Sequence, residues 1–205
     1  MTGSDEVALG LIGLGLLGSA LAAQFLNHGF AVVGYDTSAD RCRAFEKIGG
    51  RVAPNAASVA SDCRRVVLSL PTSEVATRVV SEIESELPAE SIVIDTTTGE
   101  PEQMVALATQ LSAHGVQYLD ATVGGSSQQV RDRDVIAIVG GHSAAVDACR
   151  DVFDAFAREV FHVGPIGSGA RMKLVVNLVL GLNRAVLAEG LAFSRACGFD
   201  PNDAL

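Results

Sequence analysis

Val7-Ala-Leu-Gly-Leu-Ile12-Gly13-Leu14-Gly15-Leu16-Leu17-Gly18-Ser-Ala-Leu21 passes from an apolar run through spaced glycines into helical periodicity. The run over 7–12 predicts a strand, and 16–28 predicts a helix stopped by Gly29. A Gly-x-Gly-x-x-Gly alone is a weak signal, because glycine-rich turns are common. Here it follows the first strand and opens the first helix, the setting in which the spacing has a physical meaning. Gly13 permits a tight turn, Gly15 lets a pyrophosphate approach the backbone, and Gly18 lets helix and sheet pack closely. The free N–H groups and partial positive charge of the helix start would face the phosphates. Gly13, Leu14, Gly15, Leu16, Leu17 and Gly18 are therefore candidate dinucleotide contacts.

Downstream the rhythm repeats. Strands are expected over 31–35, 51–53, 65–70, 91–95, 116–123 and 135–139. Helices are expected from a cap at Ser38 or Asp40 to residue 48, briefly after a cap at Asn55, and over 73–87, 101–114 and 143–157. The strands are apolar throughout rather than alternating, as in sheets covered on both faces. Short strands with helical crossovers predict an α/β fold, a doubly wound and mostly parallel Rossmann sheet. The expected division is a dinucleotide-binding domain over 1–165. Residues 166–205 would form a long interdomain helix opening an all-helical second domain that is mostly absent.

Asp36 ends the second predicted strand, 18 positions beyond Gly18, with Thr37 beside it. An acidic side chain there can bind the adenine ribose hydroxyls and repel a 2′-phosphate, which favours NAD over NADP. Its plainer role is a cap or turn residue. Arg41 and Arg43 read as solvated helix residues that would soften the preference. Leu70-Pro71-Thr72 and Thr96-Thr97-Thr98 follow the fourth and fifth major strands, where a dinucleotide would cross the sheet. Leu70, Pro71 and Thr97 are candidate contacts, with turn and capping chemistry as their alternative.

Thirteen arginines but only two lysines, Lys47 and Lys173, supply the positive charge. Arginine keeps its proton in a protein, whereas burial lowers the pKa of lysine. Lys173, in Gly167-Ser-Gly-Ala-Arg-Met-Lys173-Leu-Val-Val-Asn177, is thus a candidate proton donor or a charge snorkelling from a core helix. The helix expected over 169–197 would be roughly 43 Å long. Its first half is apolar on nearly all sides and requires a covering partner, either more of its own chain or a second copy in a homo-oligomer.

The formal net charge is −9 and the pI about 4.8, which argues against nucleic acid or an anionic membrane surface as partner. Cys42, Cys63, Cys149 and Cys197 are widely spaced without a CxxC, and the four histidines lack ligand spacing, so neither a disulfide framework nor a metal site is expected. The acidic N-terminus carries no signal-peptide pattern, and no apolar run is read as long enough to span a membrane. The cytoplasm is the expected compartment.

Four segments in order resemble the β-hydroxyacid dehydrogenase family. Gly13-Leu-Gly-Leu-Leu-Gly-Ser-Ala-Leu-Ala22 is similar to its GLGxMGxxMA, and Asp95-Thr-Thr-Thr-Gly-Glu-Pro101 to its DxSTxxP. Asp120-Ala-Thr-Val-Gly-Gly-Ser126 resembles its DAPVSGG substrate loop, and the segment from Gly167 to Asn177 its GxGxxxKxxxN. The resemblance implies a hydride-transferring enzyme of small 3-hydroxy acids or their semialdehydes. Lys173 would be its acid and base, and Asn177 a substrate contact on the same helix face. Gly124, Gly125 and Ser126 would offer backbone N–H groups to the substrate carboxylate. Leu17 replaces the usual methionine, Thr97 and Gly124 replace serines, and Thr122 replaces a proline; Ser126 or Ser127 would restore the lost hydroxyl. Family members continue into a helical domain that completes the cleft. Val176 stands where 6-phosphogluconate dehydrogenases carry histidine, and imine-reducing relatives lack the lysine. A non-catalytic dinucleotide-binding module is the alternative.

Overall fold

The structure, a computed structural model, describes residues 8–204; the acidic N-terminal segment lies outside them. One eight-stranded sheet organises the chain. Its first half alternates β1 (Leu9–Ile12), α1 (Leu16–Asn27), β2 (Val32–Tyr35), α2 (Ala39–Lys47), β3 (Arg51–Val52), α3 (Ala56–Asp62), β4 (Arg65–Leu68) and α4 (Ser73–Ile83). The second half adds β5 (Ile92–Asp95), α5 (Pro101–Ser112), β6 (Gln117–Gly124), α6 (Ser127–Arg131), β7 (Ile136–Gly140), α7 (Ser143–Ala148), α8 (Arg150–Phe156), β8 (Glu159–Gly164) and α9 (Ser168–Ala196). A 3₁₀ turn over Pro201–Ala204 follows.

The spatial order is β3-β2-β1-β4-β5-β6-β7-β8, parallel except where β7 runs against β6. This is the doubly wound, mostly parallel arrangement that the strand rhythm predicts. The chain leaves β1 for one edge and returns at β4 for the other, so a crevice opens at the carboxyl ends of these two strands. Two apolar clusters cover the faces. One packs Leu21, Phe25, Phe153 and Phe156 over the sheet; the other packs Val59, Val80, Met104 and Leu107 beneath it.

Several boundaries differ from the sequence reading. The helix expected over 143–157 breaks at Cys149, which leaves helical geometry at φ −111°, ψ 13° without a proline or glycine to mark it. α4 stops at Ile83 rather than 87, yet Leu87 stays buried in the turn that follows. α6 and β8 were not expected. α6 is only five residues long but carries a capping box, Ser126 with Gln129. β8 is an edge strand with much of its length exposed, so it lacks the all-apolar signature of the central strands.

α9 corrects another expectation. Its first turn is buried at Gly169 and Ala170, but from Arg171 onward no described residue is. Leu178, Val186 and Phe193 are among its exposed apolar side chains. By length and composition alone this 29-residue helix, with a mean hydropathy of 1.5 over its best 18-residue window, is apolar enough to cross a membrane. Lys173 and Arg184 leave only a short uncharged run between them, so the apolar length belongs to the helix as a whole and not to any one run of its sequence.

Candidate functional site

The three glycines of the first loop differ in what surrounds them. Gly13 turns at φ +97°, and a Cβ there would lie 2.2 Å from the Ser69 carbonyl oxygen. A Cβ on Gly18 would lie 1.9 Å from the Gly13 carbonyl oxygen, so this glycine lets α1 close onto the turn. At Gly15 the nearest atom is Arg41 Nη1 at 3.9 Å, which leaves the loop open on that side. No side chain caps α1, whose first-turn N–H groups face the opening beside the exposed Leu16. An open cradle above an uncapped helix start fits a dinucleotide diphosphate.

Asp36 closes the loop from the side. Its Oδ2 accepts the Leu14 N–H at 2.8 Å and its Oδ1 accepts the Ser38 N–H at 2.8 Å. The turn role and the loop role are thus held by one buried carboxylate. Thr37 beside it is exposed. Arg41 Nη1 stands 3.4 Å from Asp36 Oδ2. A cleft of about 410 Å³ runs over Leu14, Gly15, Leu16, Ser19, Arg41 and Arg131. Arg131 was missed in the sequence: α6 carries it back to α1, where its Nη2 donates to Ser19 Oγ at 3.2 Å. Gln24 donates to the carbonyls of Val130 and Arg131, tying α6 down.

Across the crevice, Leu70 N–H donates to Thr97 Oγ1 at 3.2 Å, joining the two loops that were expected to flank a dinucleotide. Leu70 is half-buried and Pro71 exposed, while Thr97 is buried, its hydroxyl oxygen accepting this bond. Thr97 therefore shapes the crevice rather than lining it; its own N–H donates to Asp95 Oδ1. Thr98 is the exposed one of the three threonines.

β6 runs on past the end of β5, where Asp95 pairs with Asp120, and its last four residues pair with β7 alone. α9 packs along this extension. Lys173 Nζ donates to the Val123 carbonyl at 2.7 Å, and burial pulls the ammonium pKa below the ordinary lysine value. Asn177, one turn on, is exposed. Gly125 sits at φ +154°, a backbone setting that glycine tolerates. One element of the expected carboxylate turn fails: the Ser126 N–H is taken by Gln129 Oε1 at 3.0 Å in the capping box. Gly124 closes β6 opposite Ile136, and Gly125 forms the bend that follows it.

Residues 8–164 match the family model for the NAD binding domain of 6-phosphogluconate dehydrogenase. The chain belongs to the β-hydroxyacid dehydrogenase family. Among its curated relatives, mitochondrial 3-hydroxyisobutyrate dehydrogenase of Mus musculus is 28% identical over 201 residues, 97% of this chain and 60% of the relative. The 2-(hydroxymethyl)glutarate dehydrogenase of Eubacterium barkeri is 28% identical over 199 residues, 96% of this chain and 66% of that one. Cytokine-like nuclear factor N-PAC of Pongo abelii is 28% identical over 193 residues, 93% of this chain and 35% of that protein. The chain thus spans less than two thirds of each of these relatives. In fold it is similar to the solved 3-hydroxyisobutyrate dehydrogenase of Mycobacterium tuberculosis with L-serine, at a TM-score of 0.91 and 24% identity over 95% of this chain and 67% of that one.

The departures from the family's DAPVSGG motif have specific surroundings in the fold. A Cβ on Gly124 would lie 2.7 Å from Ile136 Cγ1, so Ile136 occupies the space of the family serine. Thr122, in place of proline, turns its hydroxyl into the core, 3.4 Å from the Gly169 carbonyl oxygen.

Proposed function

We propose that this chain works as the dinucleotide-binding and proton-transferring part of an NAD-dependent dehydrogenase of small 3-hydroxy acids. The observation that carries the reading is Lys173, half-buried against the Val123 carbonyl at the edge of the glycine turn. Gly13, Gly15 and the start of α1 would hold the diphosphate, and Asp36 the ribose. The nicotinamide, when bound, supplies the hydride chemistry at the carbinol carbon.

Lys173 has three N–H donors, of which Val123 uses one. The other two are available to a substrate oxygen. In reduction, Nζ gives its proton to the oxygen of the carbonyl; in oxidation, the neutral amine takes the hydroxyl proton. A lowered pKa increases the neutral fraction that the second direction needs. Gly124 and Gly125 would meet the substrate carboxylate, and Asn177 would orient it from the same helix. Asp36 supports NAD over NADP, and Arg41 moderates that preference by standing beside the carboxylate. The exposed apolar side of α9 supports packing against a further apolar surface, from additional helical chain or a second copy.

A panel of short 3-hydroxy acids, assayed with NAD and with NADP, tests the reading. Turnover of one of them, abolished in Lys173→Ala, is the expected result; turnover that persists in the variant overturns the role of Lys173. Similarity to a protein named as a nuclear factor rather than a dehydrogenase supports a second reading, a dinucleotide-binding module without turnover. Calorimetric NAD binding with no activity on any member of the panel would select it.

A further inference from the structure

Asp120 is a buried carboxylate, 1% exposed, that the proton-transfer reading leaves without a task. Burying such a charge is costly unless hydrogen bonds replace its water. Its partners are specific. Oδ1 accepts the Gly167 N–H at 2.9 Å, and Oδ2 accepts the Ala170 N–H at 2.8 Å. Those are donors at the start of α9, which has no cap of its own. Its N-cap is Gly167 at φ +85°, with no side chain to offer and no acidic residue in the first turn. β6 thus supplies from a distance what a local Ser or Asp normally supplies.

The packing around this contact has no slack. A Cβ on Gly169 would lie 2.6 Å from the Asp120 carbonyl oxygen and 2.8 Å from that of Ile138. A Cβ on Gly140 would lie 2.4 Å from Asp120 Oδ1. Among the described residues, the titratable groups that bear on Asp120 are Asp95, its register partner on β5, and Tyr118, two residues back on β6. α9 brings main-chain N–H groups alone.

Strand and helix then advance by the same count. Three residues after Asp120 comes Val123; three after Ala170 comes Lys173. The strand rises about 10 Å over that interval and the helix about 4.5 Å. The extended lysine side chain makes up most of the remainder and reaches the Val123 carbonyl.

We infer that Asp120 is a positioning residue: by holding two main-chain N–H groups of α9 it fixes that helix on β6 and seats Lys173 at the Val123 carbonyl. The inference deepens the reading of Lys173 as proton carrier and rests on it for its effect on turnover. An asparagine cannot substitute, because it accepts at one atom and presents an NH₂ to the second amide.

The two-lysine composition makes the test direct. Reductive ¹³C-methylation labels Lys47 and Lys173 in the whole chain, and Lys47→Arg assigns the signals. In Asp120→Asn the Lys173 titration midpoint rises by about half a unit or more, as the ammonium regains water. With an active substrate in hand, kcat falls about tenfold while the NADH dissociation constant changes less than about twofold. A cap with only a structural role lowers the melting temperature and leaves the midpoint where it was; a folded variant with that outcome overturns the inference. If Asp120→Asn does not fold, Gly169→Ala displaces α9 from β6 with the carboxylate intact, and an unmoved midpoint there overturns it equally. The midpoint requires no turnover, so persistent activity in Lys173→Ala would sink the catalytic reading as a separate result.

Discussion

Tyr118 donates its phenolic proton to Asp95 Oδ2 across 2.6 Å, in the interior beneath the sheet where Met104 lies against the same hydroxyl. Burial raises the Asp95 carboxyl above its ordinary value, and the bonds from Thr97 and Tyr118 only partly offset this. Tyr118→Phe removes a donor from a buried acceptor and is expected to cost about 1–3 kcal/mol, read from urea unfolding.

The sign of the accompanying pH effect follows from the raised pKa. The stability that Asp95 contributes is full below the unfolded carboxyl value and is lost as pH rises through the folded one. Asp95→Asn lacks that loss. Its urea midpoint should therefore change less than the parent's as pH rises from the ordinary carboxyl range, and a parallel profile would contradict the assignment.

The glycine loop separates folding from binding. Gly18→Ala drives a Cβ into the Gly13 carbonyl, a backbone atom that cannot step aside, and should cost about 3 kcal/mol or more. Gly15 has an ordinary φ of −67° and free space around it. Gly15→Ala should keep the parent melting temperature within a few degrees, yet weaken dinucleotide binding at least about tenfold, since the new methyl fills the cradle.

Arg41 lies beside the Asp36 carboxylate and is itself more than half exposed. Arg41→Ala leaves that charge uncompensated towards a 2′-phosphate. The NADP-to-NAD ratio of dissociation constants should rise about fivefold, what roughly 1 kcal/mol of partly screened charge provides. NADPH and NADH fluorescence titrations read the ratio, and no change in it would remove Arg41 from cofactor choice.

Lys173 carries a lowered pKa because part of its hydration is lost. Between that lowered value and the ordinary lysine range the unfolded chain binds the proton more tightly. Parent stability therefore gains as pH climbs through this window. Lys173→Met should lose about a hundredfold or more in turnover, keep its melting temperature at neutral pH, and show no such gain on the alkaline side. In the parent, reduction should slow as pH rises through the Lys173 value.

Much of the fold was legible because β1, β4 and β5 are apolar on both faces and the Gly13–Gly18 spacing marks the first crossover. β8 escaped notice because it is an exposed edge, and the break at Cys149 because no residue there forbids a helix. At the site, local spacing pointed to Gly13, Gly15 and Asp36, and the rarity of lysine to Lys173. It could not reveal that Thr97 turns inward to Leu70, or that Gln129 occupies the Ser126 amide. The approach of Arg131 to Ser19 spans 112 positions and exists only once α6 has docked on α1. The signal for Gln129 was nonetheless present, as a serine followed three residues later by glutamine.

The remote cap on α9 bears on the order in which the chain acquires its structure. A helix of this length can start forming wherever local propensity allows. The first turn of α9, however, needs acceptors that lie 47 and 50 positions earlier. It closes only after β6, β7 and β8 have come together, so the end that carries Lys173 forms with the sheet and not before it. Amide exchange at Gly167 and Ala170 should therefore follow global unfolding, while the distal half of the same helix opens on its own, faster timescale. One helix thus belongs to two cooperative units, and the proton-bearing side chain sits in the slower of them.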